Sequence, residues 1–184
     1  MWLHNNHLVY ESANPARFLE VVPGAISIDH NGTVAAPITL HNLQVLRYLG
    51  YPVIPPMNDE TYDWPIFGRY PDGTPWRPRS HQMTMANFMC LHPRCFNLGD
   101  MGTGKTLSAL WAADFLMRQH APGTFRALIV APLSTLNRVW LDAVFGNFLS
   151  RRRAVVLYGT GEKRQELLRQ PADFYIINYD GLGI

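Results

Sequence analysis

The chain has 184 residues, of which 47% are hydrophobic and 16% are charged. This composition excludes a disordered chain, and the length allows one large domain or a medium domain with a small one. No apolar run approaches the roughly 18 residues of a membrane span, and the N-terminus lacks a secretory signal, so no membrane partner is expected. Two cysteines are too few for a disulfide framework, which indicates a reducing cytoplasm.

The net charge of +2 is unevenly distributed. Residues 1–60 carry two arginines and five acidic residues, whereas residues 61–184 carry fourteen Lys or Arg residues and nine acidic ones. The basic excess, which includes the run Arg151 to Arg153, fits a polyanionic partner for the second part of the chain. A solvated basic surface is the alternative interpretation of the same excess.

The first 50 residues predict a small α+β domain with the order β-α-β-β-α. Its predicted elements are a strand at 7–12, a helix after Asn14, a hairpin around Asn31-Gly32 and a helix after Thr39. Asn and Thr are good N-cap residues, and Asn-Gly between alternating apolar residues is a strong hairpin signal. Residues 51–78 contain seven prolines and predict an irregular, fairly stiff linker.

From residue 79 to residue 184, predicted helices alternate with apolar strands. The helices are expected near 80–90, 105–120, 134–148 and 163–169, and the strands at 96–98, 127–130, 154–157 and 174–177. Apolar strands that alternate with helices favour an α/β fold with a mostly parallel sheet covered on both faces.

Residues 99–106 read GDMGTGKT, which is the G-x-x-x-x-G-K-T pattern of a P-loop. Its glycines let backbone N–H groups converge on a phosphate, Lys105 can reach the β- and γ-phosphates, and Thr106 can ligate Mg²⁺. The predicted strand before the loop and the helix after it are the context that the motif requires. A Gly-rich turn before a helix is the alternative. The predicted nucleotide-binding residues here are Gly99, Met101, Gly102, Thr103, Gly104, Lys105 and Thr106.

The stretch LGDMGTGKTLSALWAADFL resembles motif I of Swi/Snf-type ATPases, members of helicase superfamily two with a DEAD/DEAH-like motor. This resemblance spans residues 78–184 and implies the first part of a RecA-like motor lobe that uses ATP and Mg²⁺. The style of the motifs is most similar to helicases of tailed bacteriophages, which implies the cytoplasm of a bacterial or phage-infected cell. Residues 1–50 resemble the accessory domain of annealing helicases, which grips DNA there, but their negative charge argues against a strong grip.

Upstream of the loop, residues 78–82 read PRSHQ and resemble the Q motif of the same family. The resemblance implies that Gln82 contacts the adenine of ATP. An amide suits this role because it offers a donor and an acceptor side by side. An exposed Gln at a helix start is the alternative.

Three downstream segments resemble the DNA-facing motifs of the family: residues 128–136, the turn at 159–161 and residues 176–180. The resemblance implies contacts to DNA phosphates, without sequence preference, from Pro132, Ser134, Thr135, Gly159, Thr160, Asn178 and Tyr179. A hydroxyl near a helix N-terminus suits a phosphate, although Ser134 equally fits a plain N-cap.

A D-E-x-H box for Mg²⁺ and the attacking water does not occur in the sequence. We therefore expect the N-terminal part of a longer motor, whose partners are DNA and the remainder of that motor. We name no catalytic residue and expect no efficient ATP hydrolysis from these residues alone. The alternatives are a nucleotide or nucleic-acid binding module without turnover, or an unrelated P-loop ATPase with Asp180 as its Mg²⁺-site acid. The C-x-H-x-x-C pattern from Cys90 to Cys95 favours ordinary thiols over a metal site.

Overall fold

The computed structural model describes residues 1–66, 69–148 and 151–183. The chain divides into two compact units, each described below by itself. The first unit comprises Met1–Thr61 and Asn87–Cys95, and the second comprises Tyr62–Ala86 and Phe96–Ile184. No helix among the described residues is long and apolar enough to cross a membrane.

The first unit is built on a four-stranded antiparallel sheet with the strand order β1-β2-β4-β3. Its elements are β1 (Trp2–His4), β2 (His7–Glu11), α1 (Pro15–Val21), β3 (Ile26–Ser27), β4 (Thr33–Pro37) and α2 (Leu40–Tyr48). The predicted strand, hairpin and both helices are confirmed. The side chain of Asn14 accepts a hydrogen bond from the Arg17 amide at 3.1 Å, and Thr39 caps α2 in the same way.

Strand β1 is an addition that the sequence analysis did not predict. Asn5 and Asn6 adopt φ values of 45° and 61°, the left-handed geometry that a two-residue hairpin turn needs, and they join β1 to β2. The sheet and both helices enclose a core that contains Leu8, Phe18 and Leu46, all of them almost inaccessible to solvent. Burial of this apolar surface holds the small unit together.

The second unit contains a three-stranded parallel sheet with the strand order β5-β7-β6. Its strands are β5 (Ala127–Val130), β6 (Ala154–Val156) and β7 (Phe174–Ile177), and its helices are α3 (Ser80–Leu91), α4 (Lys105–Arg118), α5 (Asp142–Phe148) and α6 (Gly161–Leu168). Two 3-10 turns (Leu133–Thr135 and Tyr179–Leu182) and a π-helical turn (Leu136–Leu141) complete it. The residues of α3 from 87 on are counted with the first unit. All four residues of the central strand β7 are buried. The predicted parallel arrangement is confirmed for these three strands.

The predicted strand at residues 96–98 is wrong. Phe96 and Leu98 are 87% and 89% exposed, and no described strand pairs with this segment. The Asn97 side chain instead accepts a hydrogen bond from the Gly99 amide at 3.2 Å, which turns the chain locally. A short segment forms a strand only where a neighbouring strand satisfies its backbone groups.

Two further predictions need correction. A sheet covered on both faces predicts a buried strand at 127–130, but this strand, β5, lies at an edge of the sheet, and Leu128 is exposed there. The helix expected at 134–148 is broken into a 3-10 turn, a π-helical turn and the short helix α5.

The run Arg151 to Arg153 is not simply a solvated basic surface. The guanidinium groups of Arg151 and Arg152 both bind the carboxylate of Asp114, which lies on α4 and is completely buried. Arg152 also binds Asp173 at 3.1 Å. Arg151 and Arg152 therefore offer less charge to solvent than the sequence alone suggests.

Candidate nucleotide-binding site

Residues 99–106 form a loop that leads directly into α4, but the strand that the P-loop pattern requires before the loop is not formed among the described residues. Gly102 and Gly104 adopt φ values of 80° and 85°, which residues with a side chain rarely adopt. Gly104 is the N-cap of α4, and no side chain caps this helix start. The first N–H groups of the helix therefore remain available to an acceptor, and the helix dipole favours an anionic one.

The side chain of Lys105 binds backbone carbonyl groups of the same loop. Its ammonium group donates hydrogen bonds to the carbonyl oxygens of Gly99 at 2.5 Å and Asp100 at 2.7 Å. The hydroxyl of Thr103 donates to the same Asp100 carbonyl at 2.8 Å. An ammonium has three donors, so one donor of Lys105 remains for a further oxygen, such as that of a phosphate.

Gln82 lies against this loop, although it precedes Lys105 by more than twenty residues. Its Nε2 atom lies 3.4 Å from the carbonyl oxygen of Thr103, and its Oε1 atom accepts a hydrogen bond from the Arg79 amide at 2.9 Å. The backbone carbonyl of Gln82 accepts a hydrogen bond from the Ser108 hydroxyl at 3.1 Å. Both ends of the amide are thus engaged within the protein, so an adenine would have to replace one of these partners.

His81 is a loop contact that the sequence analysis missed. Its Nε2 atom lies 3.2 Å from the carbonyl oxygen of Thr103, the oxygen that also faces Gln82. A carbonyl only accepts hydrogen bonds, so this contact requires the proton on Nε2. The position of His81 directly before Gln82 was the only sequence signal for it.

Gly104 is the point of closest approach between the loop and Gln82. A Cβ atom at this position would overlap the amide nitrogen of Gln82 and lie 3.1 Å from its Cδ atom. A Cβ atom at Gly99 would lie 3.1 Å from the Thr103 hydroxyl. Met101 at the tip of the loop is 97% exposed. The loop is therefore packed on one side and open at its tip.

Thr106 is the one residue predicted to bind Mg²⁺, and it offers a single hydroxyl oxygen. Thr106 is half-buried near the start of α4, and one hydroxyl with phosphate and water oxygens is the kind of coordination that Mg²⁺ accepts. Among the described residues, no three His, Cys, Asp or Glu side chains form a group that could hold a metal. Cys90 is buried with its Sγ atom 3.5 Å from the Met57 sulfur, and Cys95 is exposed.

The segments predicted to contact DNA follow the three parallel strands, so they lie at one edge of the sheet. After β5, Ser134 is exposed, and Thr135 donates its hydroxyl to the Pro132 carbonyl at 2.8 Å. Ser134 caps neither the 3-10 turn nor the π-helical turn, so its N-cap interpretation is wrong. After β6, Gly159 has a φ of 120°, and the exposed Thr160 caps α6.

Asn178 behaves differently from the other predicted DNA contacts. Its side chain is only 6% exposed, and its Nδ2 atom donates to the Asp180 carboxylate at 3.3 Å. Its Oδ1 atom is buried without a hydrogen-bond partner. A phosphate diester offers only acceptors, so this oxygen cannot bind one. The adjacent Tyr179 is exposed and is the accessible side chain after β7.

These residues define a mixed α/β protein with a parallel three-stranded sheet and a loop of P-loop sequence. No family model matches the sequence, and a search of characterised proteins finds no match either. Among solved structures, the chain is similar to the Sulfolobus solfataricus SWI2/SNF2 ATPase core in complex with double-stranded DNA, with 21% identity and a TM-score of 0.47. The match covers 57% of this chain and 22% of that one, so the chain spans about a fifth of that structure.

Proposed function

We propose that this chain forms the nucleotide-binding part of an ATP-dependent DNA translocase or helicase of the Swi/Snf type, within a RecA-like lobe. The observation that carries the proposal is the packing of the Q-motif-like segment on the P-loop. His81 and Gln82 converge on the carbonyl of Thr103, beside the loop that Lys105 closes.

Each part of the loop has a defined role in this proposal. The N–H groups after Gly104 and the ammonium of Lys105 bind the phosphates of ATP, and Thr106 contributes its hydroxyl to Mg²⁺. The metal neutralises phosphate charge when it is bound. Gln82 exchanges its present partner, Arg79 or Thr103, for the adenine edge, which links base recognition to the shape of the loop.

DNA binds in this proposal at the sheet edge that follows β5, β6 and β7. Ligands of open parallel sheets bind outside the carboxyl ends of the strands. The exposed Ser134, Thr160 and Tyr179 supply hydroxyl groups there, which suit phosphates rather than base edges. Asn178 supports this edge from within instead of contacting the DNA.

Nucleotide titration of the intact chain tests the proposal. The sequence has only two lysines, so Lys163→Ala on the exposed face of α6 is a matched control for Lys105→Ala. We expect Lys105→Ala to weaken the binding of a fluorescent ATP analogue at least about tenfold, because a charge-assisted contact is worth roughly 1.5–3 kcal/mol. Equal affinities for the wild type and both variants would refute the proposal.

The DNA part of the proposal has its own test. We expect Ser134→Glu combined with Tyr179→Ala to weaken the binding of a labelled duplex, because the pair removes a phosphate contact and adds a repulsive charge. Tyr48→Ala, which changes an exposed tyrosine of the first unit, is the control. Unchanged anisotropy titrations of the double variant at two salt concentrations would contradict the assignment of this edge to DNA.

A binding module without turnover remains the second candidate, together with an ATPase that uses Asp180. Asp180 is exposed and accepts a hydrogen bond from Asn178 instead of facing a lysine or arginine. We expect negligible phosphate release from ATP by these residues, with or without duplex DNA. Turnover that is lost in Asp180→Asn would instead identify an independent ATPase.

A further inference from the structure

The first unit has a groove of about 770 Å³ beside α2. This volume lies in the range of protein binding pockets. Its lining residues include Val21, Val45, Tyr48, Leu91, Pro93, Arg47 and Arg94. The floor is aliphatic, and Val21 remains 40% exposed on it although it is a large apolar residue.

The groove is lined by positively charged residues, although the first unit as a whole carries a net negative charge. The first unit has three arginines, no lysine and five acidic residues. Two of the three arginines, Arg47 and Arg94, line the groove, and none of the five acidic residues does. Neither guanidinium forms a hydrogen bond or an ion pair within the part of the chain that the structure describes. Two unpaired cations beside an aliphatic floor thus form one local site.

We propose that this groove binds an acidic amphipathic peptide segment of a partner protein. Aliphatic or aromatic side chains of the peptide lie on the floor formed by Val21, Val45 and Leu91. Its carboxylates pair with Arg47 and Arg94, whose planar forks suit bidentate contacts. A groove beside helices that takes the apolar face of a peptide helix is a recurring mode of recognition.

The lining favours a peptide over a nucleic acid. Single-stranded nucleic acids bind where several aromatic rings stack on successive bases within a continuous basic groove. Tyr48 is the one Phe, Tyr or Trp side chain in the lining of this groove, which also contains His41 and His92, and the floor formed by Val21, Val45 and Leu91 is aliphatic. The net negative charge of the unit also opposes a long polyanion but tolerates a few carboxylates.

Selection from a random twelve-residue peptide display library on the intact chain tests this inference. We expect enriched peptides to carry net negative charge with at least two large apolar residues. The strongest peptide is then synthesised, labelled and titrated by anisotropy. We expect Arg47→Glu/Arg94→Glu to weaken its binding at least about tenfold, and Val21→Asp to weaken it as well. Arg169→Glu, an exposed arginine of the second unit, is the matched control and leaves the affinity unchanged.

A charge-swap experiment separates recognition from a folding defect. A version of the peptide with lysine in place of its acidic residues should bind Arg47→Glu/Arg94→Glu better than it binds the wild type. Failure of this swap, or enrichment of peptides that bind independently of Arg47 and Arg94, would overturn the inference. Competition by a twelve-residue oligothymidylate as effective as the acidic peptide would overturn it in favour of nucleic acid.

Discussion

The Oδ1 atom of Asp114 lies 2.7 Å from the Nε atom of Arg152, although the side chain of Asp114 is completely buried. Its second oxygen accepts hydrogen bonds from Arg151 at 2.9 Å and from the Tyr62 hydroxyl at 2.8 Å. Burial raises the pKa of Tyr62, and the negative charge of Asp114 raises it further. The network therefore joins α4, the segment before β6 and Tyr62 of the proline-rich segment 51–78 through one carboxylate.

Asp114→Asn should destabilise the protein strongly. The substitution removes the anion and leaves the guanidinium groups of Arg151 and Arg152 without their main partner. Breaking one side of a buried ion pair costs about 3–5 kcal/mol, and we expect a loss of this order in urea denaturation. Glu166→Gln, which removes the exposed pair with Lys163, should cost less than about 1 kcal/mol. A similar small loss for both variants would show that the Asp114 network contributes little.

His81→Phe should weaken nucleotide binding without unfolding the chain. His81 is exposed, so its replacement removes no core packing, but the loop loses one donor to the Thr103 carbonyl. One hydrogen bond is worth about 1 kcal/mol, which predicts roughly fivefold weaker binding of an ATP analogue. His30→Phe, an exposed position in the first unit, is the control. If both variants bind like the wild type, His81 does not position the loop.

Gly104→Ala should weaken nucleotide binding more than Gly102→Ala does. Both positions have left-handed backbone angles, so both substitutions cost about 1–3 kcal/mol of strain. Nothing lies within 4 Å of a Cβ atom at Gly102, whereas a Cβ atom at Gly104 overlaps the Gln82 side chain. We expect the loss of nucleotide affinity in the double variant Gly104→Ala/Gln82→Ala to be smaller than the sum of the two single losses, as measured in a double-mutant cycle. Strictly additive effects would contradict this contact.

The two cysteines should differ in reactivity. Burial, and then the charge of Cys95, raises the pKa of Cys90 to about 12, whereas Cys95 is exposed. With a disulfide reagent at pH 8, we expect one thiol to react at once and the second only on unfolding.

The same pKa shift predicts alkaline destabilisation. The thiol of Cys90 ionises near pH 9 in the unfolded chain but near pH 12 in the folded one. Its contribution to the free energy of unfolding is therefore complete below pH 9 and is lost between pH 9 and 12. Cys90→Ala should therefore show a shallower fall of the unfolding free energy over this range. Rapid labelling of both thiols in the folded wild type would contradict the burial of Cys90.

Local signals in the sequence predicted local structure well. Asn14, Thr39 and Asn31-Gly32 act through neighbours a few residues away, and the caps and the hairpin formed as expected. The strand predicted at 96–98 does not form, because a strand also needs a neighbouring strand to pair with, and the sequence of the segment does not indicate whether one is present. Strand β1 was missed because two adjacent asparagines are a weaker turn signal than Asn-Gly.

The candidate site was predictable in its parts but not in its contacts. The P-loop pattern identified Gly102, Gly104 and Lys105, yet no pattern links His81 to the carbonyl of Thr103. Likewise, the sequence around Arg151 and Arg152 predicts surface charge, because their partner Asp114 lies more than thirty residues earlier in the chain, on α4. Ion pairs between residues that are far apart in the chain depend on the fold, and no periodic pattern in the sequence predicts them.

The position of β7 between β5 and β6 determines when the sheet can assemble during synthesis. Both outer strands leave the ribosome first, but neither pairs with the other, and each forms its ladder only with β7. Until Phe174–Ile177 has emerged, β5 and β6 are apolar segments with unsatisfied backbone groups. Nascent chains of this protein should therefore depend on chaperones until β7 is inserted, since late non-local pairing is slow and exposes aggregation-prone edges.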